Sequence, residues 1–105
     1  MATPPKLSDE QRAAALAKAG AVRRARAELK AKLKMGSLSF SEIMGMAADD
    51  DVVAKMKVLA VLESLPGVGK VKARRTMEEI GIAESRRIRG LGEQQRQKLL
   101  AIFGD

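Results

Sequence analysis

The nonapeptide Leu65-Pro66-Gly67-Val68-Gly69-Lys70-Val71-Lys72-Ala73 carries residue types that hold a phosphate. Two glycines around one valine let the main chain approach another molecule with no Cβ in the way. A basic amphipathic helix leaving from Gly69 would turn unpaired N–H groups and the positive end of its dipole toward an anion. Lys70 and Lys72 add ammonium groups at the same place, and Arg74 follows one turn into the helix. A nucleotide-binding phosphate loop, G-x-x-x-x-G-K-[ST], does not fit, because it needs glycine at Ser64 and a hydroxyl at Val71. An ordinary helix–helix turn with solvated lysines is the plainer alternative.

Two other basic groups accompany this stretch. Arg86, Arg87 and Arg89 form the densest run of positive charge in the C-terminal half, on a turn expected to adjoin the first one. Guanidinium groups fork onto phosphates or enter a narrow minor groove, where the potential is more negative. Nearer the N-terminus, Arg23, Arg26, Lys30 and Lys34 recur at three- and four-residue spacing, which aligns them on one helical edge, with Arg24 beside it. A solvated basic face and a second phosphate-contacting surface are both open readings of that edge.

Composition narrows the partner. The 105 residues carry 20 lysines and arginines against 13 acidic residues, a net charge of +7, which favours nucleic acid first and an anionic membrane second. Charge is divided along the chain: +6 over residues 1–38, −3 over 39–64 and +4 over 65–105. The acidic, apolar middle reads as core and the two ends as nucleic-acid surfaces. Phe40 and Phe103 are the only aromatic residues, which weakens any scheme that stacks unpaired bases on rings and points to a duplex backbone. There is no cysteine or histidine, so disulfides and thiolate or imidazole metal sites are excluded. Asp49-Asp50-Asp51 lacks the alternating ligands and glycine turn of a calcium loop; acidic residues opening a helix explain it better. No cofactor and no metal are expected. The apolar runs are too short to span a bilayer and no signal-peptide pattern opens the chain, so a cytoplasmic protein is expected, without membrane or small-molecule ligand.

The elements that must position these groups are helices. Met1 to Leu7, with Pro4-Pro5, reads as a flexible arm, and Ser8 with Gln11 as a capping box. From Asp9 to about Lys34 the chain is rich in strong helix formers, with Gly20 the weak point. Leu16, Val22, Ala25, Leu29 and Leu33 form a sparse apolar stripe, so the C-terminal half should pack on the body and the N-terminal half should stand partly free. After Met35-Gly36-Ser37, a short helix capped by Ser39 or Ser41 carries Phe40, Ile43, Met44 and Met46. A third helix, Val52 to about Ser64, is apolar on most sides and is expected to be one buried rod delivering the turn at Leu65. A fourth runs from Gly69 to Ile80 with Val71, Ala73, Met77 and Ile80 inward, stopped by Gly81 with a hydrophobic contact from Ile82. A last helix, Glu93 to about Phe103, buries Leu99, Leu100, Ile102 and Phe103 in part.

An internal repeat is present. Leu65-Pro66-Gly67-Val68-Gly69 aligns with Ile88-Arg89-Gly90-Leu91-Gly92, and Met77 then falls opposite Leu100. The second copy has Glu93 for Lys70 and Arg96 for Ala73, so it reads as a degenerate, mainly architectural turn.

Residue for residue, Leu65 to Ala73 resembles the helix-hairpin-helix signature of sequence-independent DNA-binding modules. Lys55 to Phe103 resembles the helix-two-turns-helix domains of ribosomal-protein-S13-like folds. The whole chain is similar to the actinobacterial integration host factors of mycobacterial type. The residues carrying this are Lys55-Met56-Lys57-Val58, Leu62-Glu63-Ser64-Leu65-Pro66-Gly67-Val68-Gly69-Lys70, Ser85-Arg86-Arg87-Ile88-Arg89-Gly90-Leu91-Gly92 and Gln11-Arg12-Ala13-Ala14-Ala15-Leu16. The resemblance implies an abundant nucleoid-associated protein that binds duplex DNA with little sequence preference, bends or compacts it and assists phage integration. That family is unrelated in fold to the β-armed heterodimer of other bacteria. Some hairpin proteins are repair glycosylases; those similar in this loop place a catalytic lysine where this chain has Val71 and need a downstream aspartate, absent between Val71 and Gly104. An enzyme is not expected.

The expectation is an all-α fold of about five helices. An arm (1–7) and a long basic N-terminal helix (8–38) precede a helix-two-turns-helix, helix-hairpin-helix-related domain (39–105) that forms one globular unit with that helix. The partner is double-stranded DNA, bound by a monomer through Gly67, Val68, Gly69, Lys70, Lys72, Arg74, Arg86, Arg87 and Arg89. Arg23, Arg24, Arg26, Lys30 and Lys34 form a possible second DNA surface. The S13-like resemblance leaves an RNA-binding or ribosome-associated module as the alternative.

Overall fold

The alanine-, lysine- and glutamate-rich run after Asp9 forms a helix that needs little tertiary support, and it gives the molecule its long axis. In the computed structural model, which describes residues 9–104, the elements are α1 (Asp9–Met35), α2 (Phe40–Met46), α3 (Asp51–Ala54), α4 (Val58–Ser64), α5 (Gly69–Ile80), a single 3-10 turn at Ile88–Gly90, and α6 (Glu93–Phe103). The arm at Met1 to Leu7 and the Ser8 cap lie outside the described residues. The 27 residues of α1 span about 40 Å at 1.5 Å per residue. The molecule measures 53 × 32 × 26 Å, and its radius of gyration of 16.6 Å exceeds the roughly 13 Å of a compact chain of this length. The excess is the N-terminal half of α1, where Leu16 is 65% exposed, while Leu29 and Leu33 of the other half are buried against α3 and α4.

Helix ends follow local chemistry. Gly36 (φ +78) and Gly81 (φ +87) stop α1 and α5 in the left-handed conformation that L-residues resist. At each stop the next N–H reaches five residues back, Ser37 to Lys32 O (3.0 Å) and Ile82 to Met77 O (2.8 Å), the Schellman pattern that satisfies the last carbonyls. Ser39 caps α2, accepting from Glu42 N–H while Glu42 Oε1 accepts from Ser39 N–H. Asp50 caps α3, its Oδ1 accepting from Val52 N–H at 2.9 Å. The acidic run therefore serves a helix start, and among the described residues no cluster of acidic side chains is placed to hold a metal.

The single buried rod expected from Val52 to Ser64 is instead two short helices, α3 and α4, which makes six α-helices among the described residues. The break at Lys55–Lys57 has a clear cause. Val58 N–H donates to Arg86 O (2.9 Å) and Ile88 N–H donates to Met56 O (2.9 Å), pairing Lys57 with Arg87 as an isolated antiparallel bridge. A continuous helix would have used those same groups internally. Lys55 and Lys57 are exposed and Met56 between them is buried, the alternation of a strand segment.

Around this bridge the core gathers from every helix: Leu33, Phe40, Ile43, Val53, Met56, Val58, Val61, Leu62, Ala73, Met77 and Leu99 are all buried. Phe40 and Phe103 meet edge-to-face with centroids 6.0 Å apart, holding α6 on α2. Val71 was expected inside and is 73% exposed. The inward face of α5 is Ala73, Thr76, Met77 and Ile80, and Val71, two residues before Ala73, lies about 200° away on the opposite side. Thr76 takes the inward place, its hydroxyl donating to Lys72 O at 2.8 Å. No helix among the described residues is long and apolar enough to cross a membrane.

The two halves of α1 should respond differently to truncation. Leu33→Ala is expected to cost about 2–5 kcal/mol by removing a fully buried side chain, and Leu16→Ala less than about 0.5 kcal/mol. Urea unfolding followed by helical circular dichroism measures both; equal losses would contradict the unequal docking.

Candidate nucleic-acid interface

The turn between α4 and α5 is built by two residues that tolerate unusual backbone. Pro66 and Gly67 occupy its centre, Val68 N–H donates to Leu65 O at 3.3 Å, and Gly67 has φ +74, as the third residue of a type II turn requires. Gly69 is again left-handed, at +69. Nothing lies within 4 Å of where a Cβ would sit on either glycine, so both present open backbone. Val68 precedes α5, and no side chain caps that helix, in contrast to α2 and α3. Its first N–H groups therefore have no capping acceptor at the point where Lys70 and Lys72 stand exposed. Arg74 is also exposed, but its Nε lies 3.4 Å from Glu84 Oε1, so part of its charge is answered within the chain.

The basic edge of α1 converges on this turn. Lys30 and Lys34 line, with Gly69, Lys70 and Glu63, one open depression of about 360 Å³. Further along α1, Arg26 and Lys30 face Lys55, Lys57 and Arg87 across a second depression of about 230 Å³. It continues into a third of about 190 Å³, where Lys18, Arg26, Lys55 and Arg87 surround Asp51. Arg23 and Arg24 are exposed and lie outside these depressions; the Arg24 guanidinium folds back over Gly20. Of this edge, Arg26, Lys30 and Lys34 line the depressions, while Arg23 and Arg24 stand exposed beside them.

The three C-terminal arginines lie within four residues of one another along the chain but diverge in space. Arg86 Nη1 donates to Gly90 O at 2.7 Å, closing its own turn. Arg87 Nη1 donates to Lys55 O at 3.3 Å and lies in the groove against α1. Arg89 lines another depression with Arg96, Met44 and Ala48 at the start of α6. They do not directly adjoin the α4–α5 turn: Arg86 and Arg87 pair at the start of α4 and the turn is at its end, one length of α4 apart, about 10 Å. Nor does the repeated motif share a conformation with the first. Ile88–Gly90 is a 3-10 turn and Gly92 is extended, at φ −72 and ψ 158, without the left-handed glycines of Gly67 and Gly69. Gln95 Oε1 accepts from Gly92 N–H at 3.0 Å, so this second helix start has a side chain upon it.

Lys18, Lys55 and Lys57 belong to the basic groove and were not expected there. The Lys55-Met56-Lys57 alternation was the available signal, hidden inside an apolar run read as one helix. Asp51 is the one acidic residue lining the groove beside them. Its Oδ2 is 2.9 Å from Lys55 Nζ, and Lys55 chiefly, then Arg89 and Lys18, hold its carboxyl below the ordinary value of 3.8.

The geometry agrees with what the chain is similar to. Residues 33–103 match the model of the S13-like H2TH domain. The integration host factor of Mycobacterium tuberculosis is 58% identical over 100 residues, covering 95% of each chain. That of Streptomyces coelicolor is 57% identical over 104 residues, covering 99% of this chain and 96% of its own. A solved structure of sIHF bound to an 8-bp palindromic DNA matches with a TM-score of 0.79 and 54% identity, covering 83% of this chain and 98% of that one. The chain belongs to the integration host factor family and carries that family's S13-like H2TH domain.

Proposed function

We propose that this chain is an architectural DNA-binding protein of the nucleoid, gripping duplex DNA as a monomer with little sequence preference and bending or compacting it. The observation that carries the reading is the uncapped start of α5, flanked by left-handed glycines and by Lys70 and Lys72. A solved relative bound to DNA supports the choice of ligand. The name borne by the M. tuberculosis and S. coelicolor relatives supports extending the role to phage integration.

In this scheme the amides at Gly67 and Gly69, with Lys70 and Lys72, clamp successive phosphates of one strand, and Val68 and the exposed Val71 lie against sugar. Arg86, Arg87 and Arg89 meet the backbone or minor groove about 10 Å away, one length of α4. Arg74 is the weakest contributor, since it must leave Glu84. Arg26, Lys30 and Lys34, joined by Lys18, Lys55 and Lys57, take a further part of a bent duplex or a second one, with Arg23 and Arg24 beside them. Contact on two sides of one small domain is what compaction requires. The work is positioning and charge neutralisation, with no chemical step.

A competition shift assay with duplex DNA, duplex RNA and abasic DNA tests the assignment. Duplex DNA is expected to win; preference for RNA would overturn it, and strand scission at the abasic site would make the protein a lyase. If six to eight phosphates are neutralised, log affinity should fall against log salt with a slope of roughly −5 to −7, and Lys70→Gln with Lys72→Gln should flatten it by about 2. A salt-insensitive complex would end the electrostatic account. Among the arginines, Arg89→Ala is expected to weaken binding with melting unchanged. Arg86→Ala should also lower stability, by about 0.5–1.5 kcal/mol for the lost bond to Gly90; thermal melting separates the two.

A further inference from the structure

The basic groove between α1 and the Lys55–Lys57 segment contains one feature that works against anion binding. Asp51 opens α3, and its carboxylate sits among Lys18, Arg26, Lys55 and Arg87. It does not cap the helix, because Asp50 does that. Its ion pair with Lys55, at 2.9 Å, joins side chains that are 79% and 50% exposed, a pair that contributes little to folding. Its consequence is therefore for the charge of the groove. Arg87 is already committed to the Lys55 carbonyl, so Lys55 is the groove cation whose head group Asp51 occupies.

We propose that Asp51 is a resident competitor for phosphate, holding Lys55 in the free protein and releasing it only when a DNA phosphate enters the groove. This rests on the DNA-binding reading above and adds to it a residue that lowers affinity. When a phosphate takes Lys55, the ion pair with Asp51 must break, so part of the new contact only replaces an old one. Removing the carboxylate leaves Lys55 available before DNA arrives, and the groove then binds more tightly. Removing one exposed carboxylate from the groove is expected to raise affinity about fivefold at low salt, and less as salt screens it.

The test is a titration of duplex DNA at several salt concentrations with Asp51→Asn, Asp51→Ser, Lys55→Gln and the Asp51→Asn/Lys55→Gln pair. Lys70→Gln/Lys72→Gln serves as a control on the α4–α5 turn. Asp51→Asn and Asp51→Ser are expected to bind about fivefold more tightly at low salt, the gain shrinking as salt rises. Lys55→Gln alone should weaken binding, because it leaves the Asp51 carboxylate unanswered in the groove, and the Asp51→Asn/Lys55→Gln pair should bind within about twofold of the parent protein. Two substitutions at Asp51 guard against one failing to fold, and melting curves report folding directly. Unchanged affinity in both Asp51 variants would overturn the proposal. So would a pair variant that binds as tightly as Asp51→Asn, since the gain would then not run through Lys55. If Lys70→Gln/Lys72→Gln also binds normally, it is the DNA-binding reading itself that fails.

Discussion

Two main-chain hydrogen bonds, from Val58 to Arg86 and from Ile88 to Met56, hold together residues some thirty positions apart. The architecture of the interface follows from them. They interrupt what would otherwise be one helix, so α4 can leave α3 at its own angle and deliver the Pro66–Gly69 turn. They also hold Arg87 extended just ahead of the 3-10 turn that begins at Ile88, so neighbouring side chains take different directions. Arg87 turns toward α1, Ile88 enters the core, and Arg86 closes over Gly90. A bridge of this size stabilises little by itself. Its weight comes from the buried side chains on either side, Met56, Val58 and Ile88, which lock the register.

Electrostatics is arranged around that frame with little internal compensation. The described ion pairs are Asp51 with Lys55 and Arg74 with Glu84, both at the surface. The groups that form the core are nearly all apolar, and Thr76, the buried polar residue, satisfies its hydroxyl within its own helix. Stability and charge are thus carried by separate sets of residues. Lysines and arginines can be spread over two faces of a small body without burying a cation, and the proposed ligand supplies the neutralisation that the fold omits.

Much of this was legible before any coordinates. The long N-terminal helix, its unequal docking, the Ser39 cap, the glycine stops and the turn at Pro66–Gly69 all rest on local rules, and local rules survived. Apart from Val71, what failed was long-range. The apolar run from Val52 to Ser64 looked helical because nothing within it announces a partner thirty residues away, although Lys55-Met56-Lys57 alternates as a strand does. Val71 was placed inside on hydrophobicity alone, when the spacing of Ala73, Thr76, Met77 and Ile80 excludes it. Arg86, Arg87 and Arg89 looked like one cluster because adjacency along a chain says nothing about direction in an extended segment. The repeat was real in residue pattern and not in backbone, since φ at a glycine is set by its surroundings. Lys18, Lys55 and Lys57 were missed because a groove needs two elements, and only one can be read at a time.

Phe40 and Phe103, in edge-to-face contact, seat α6 on α2. They are also the protein's entire set of rings, for there is no tryptophan and no tyrosine. The molecule has almost no absorbance or fluorescence of its own, and its concentration must be measured through the peptide bond or a dye. In return, every aromatic signal it gives arises from one packed pair at the end of the core. Ring-current shifts and the near-ultraviolet dichroism of phenylalanine would therefore follow the seating of that last helix alone, against a background that is otherwise silent.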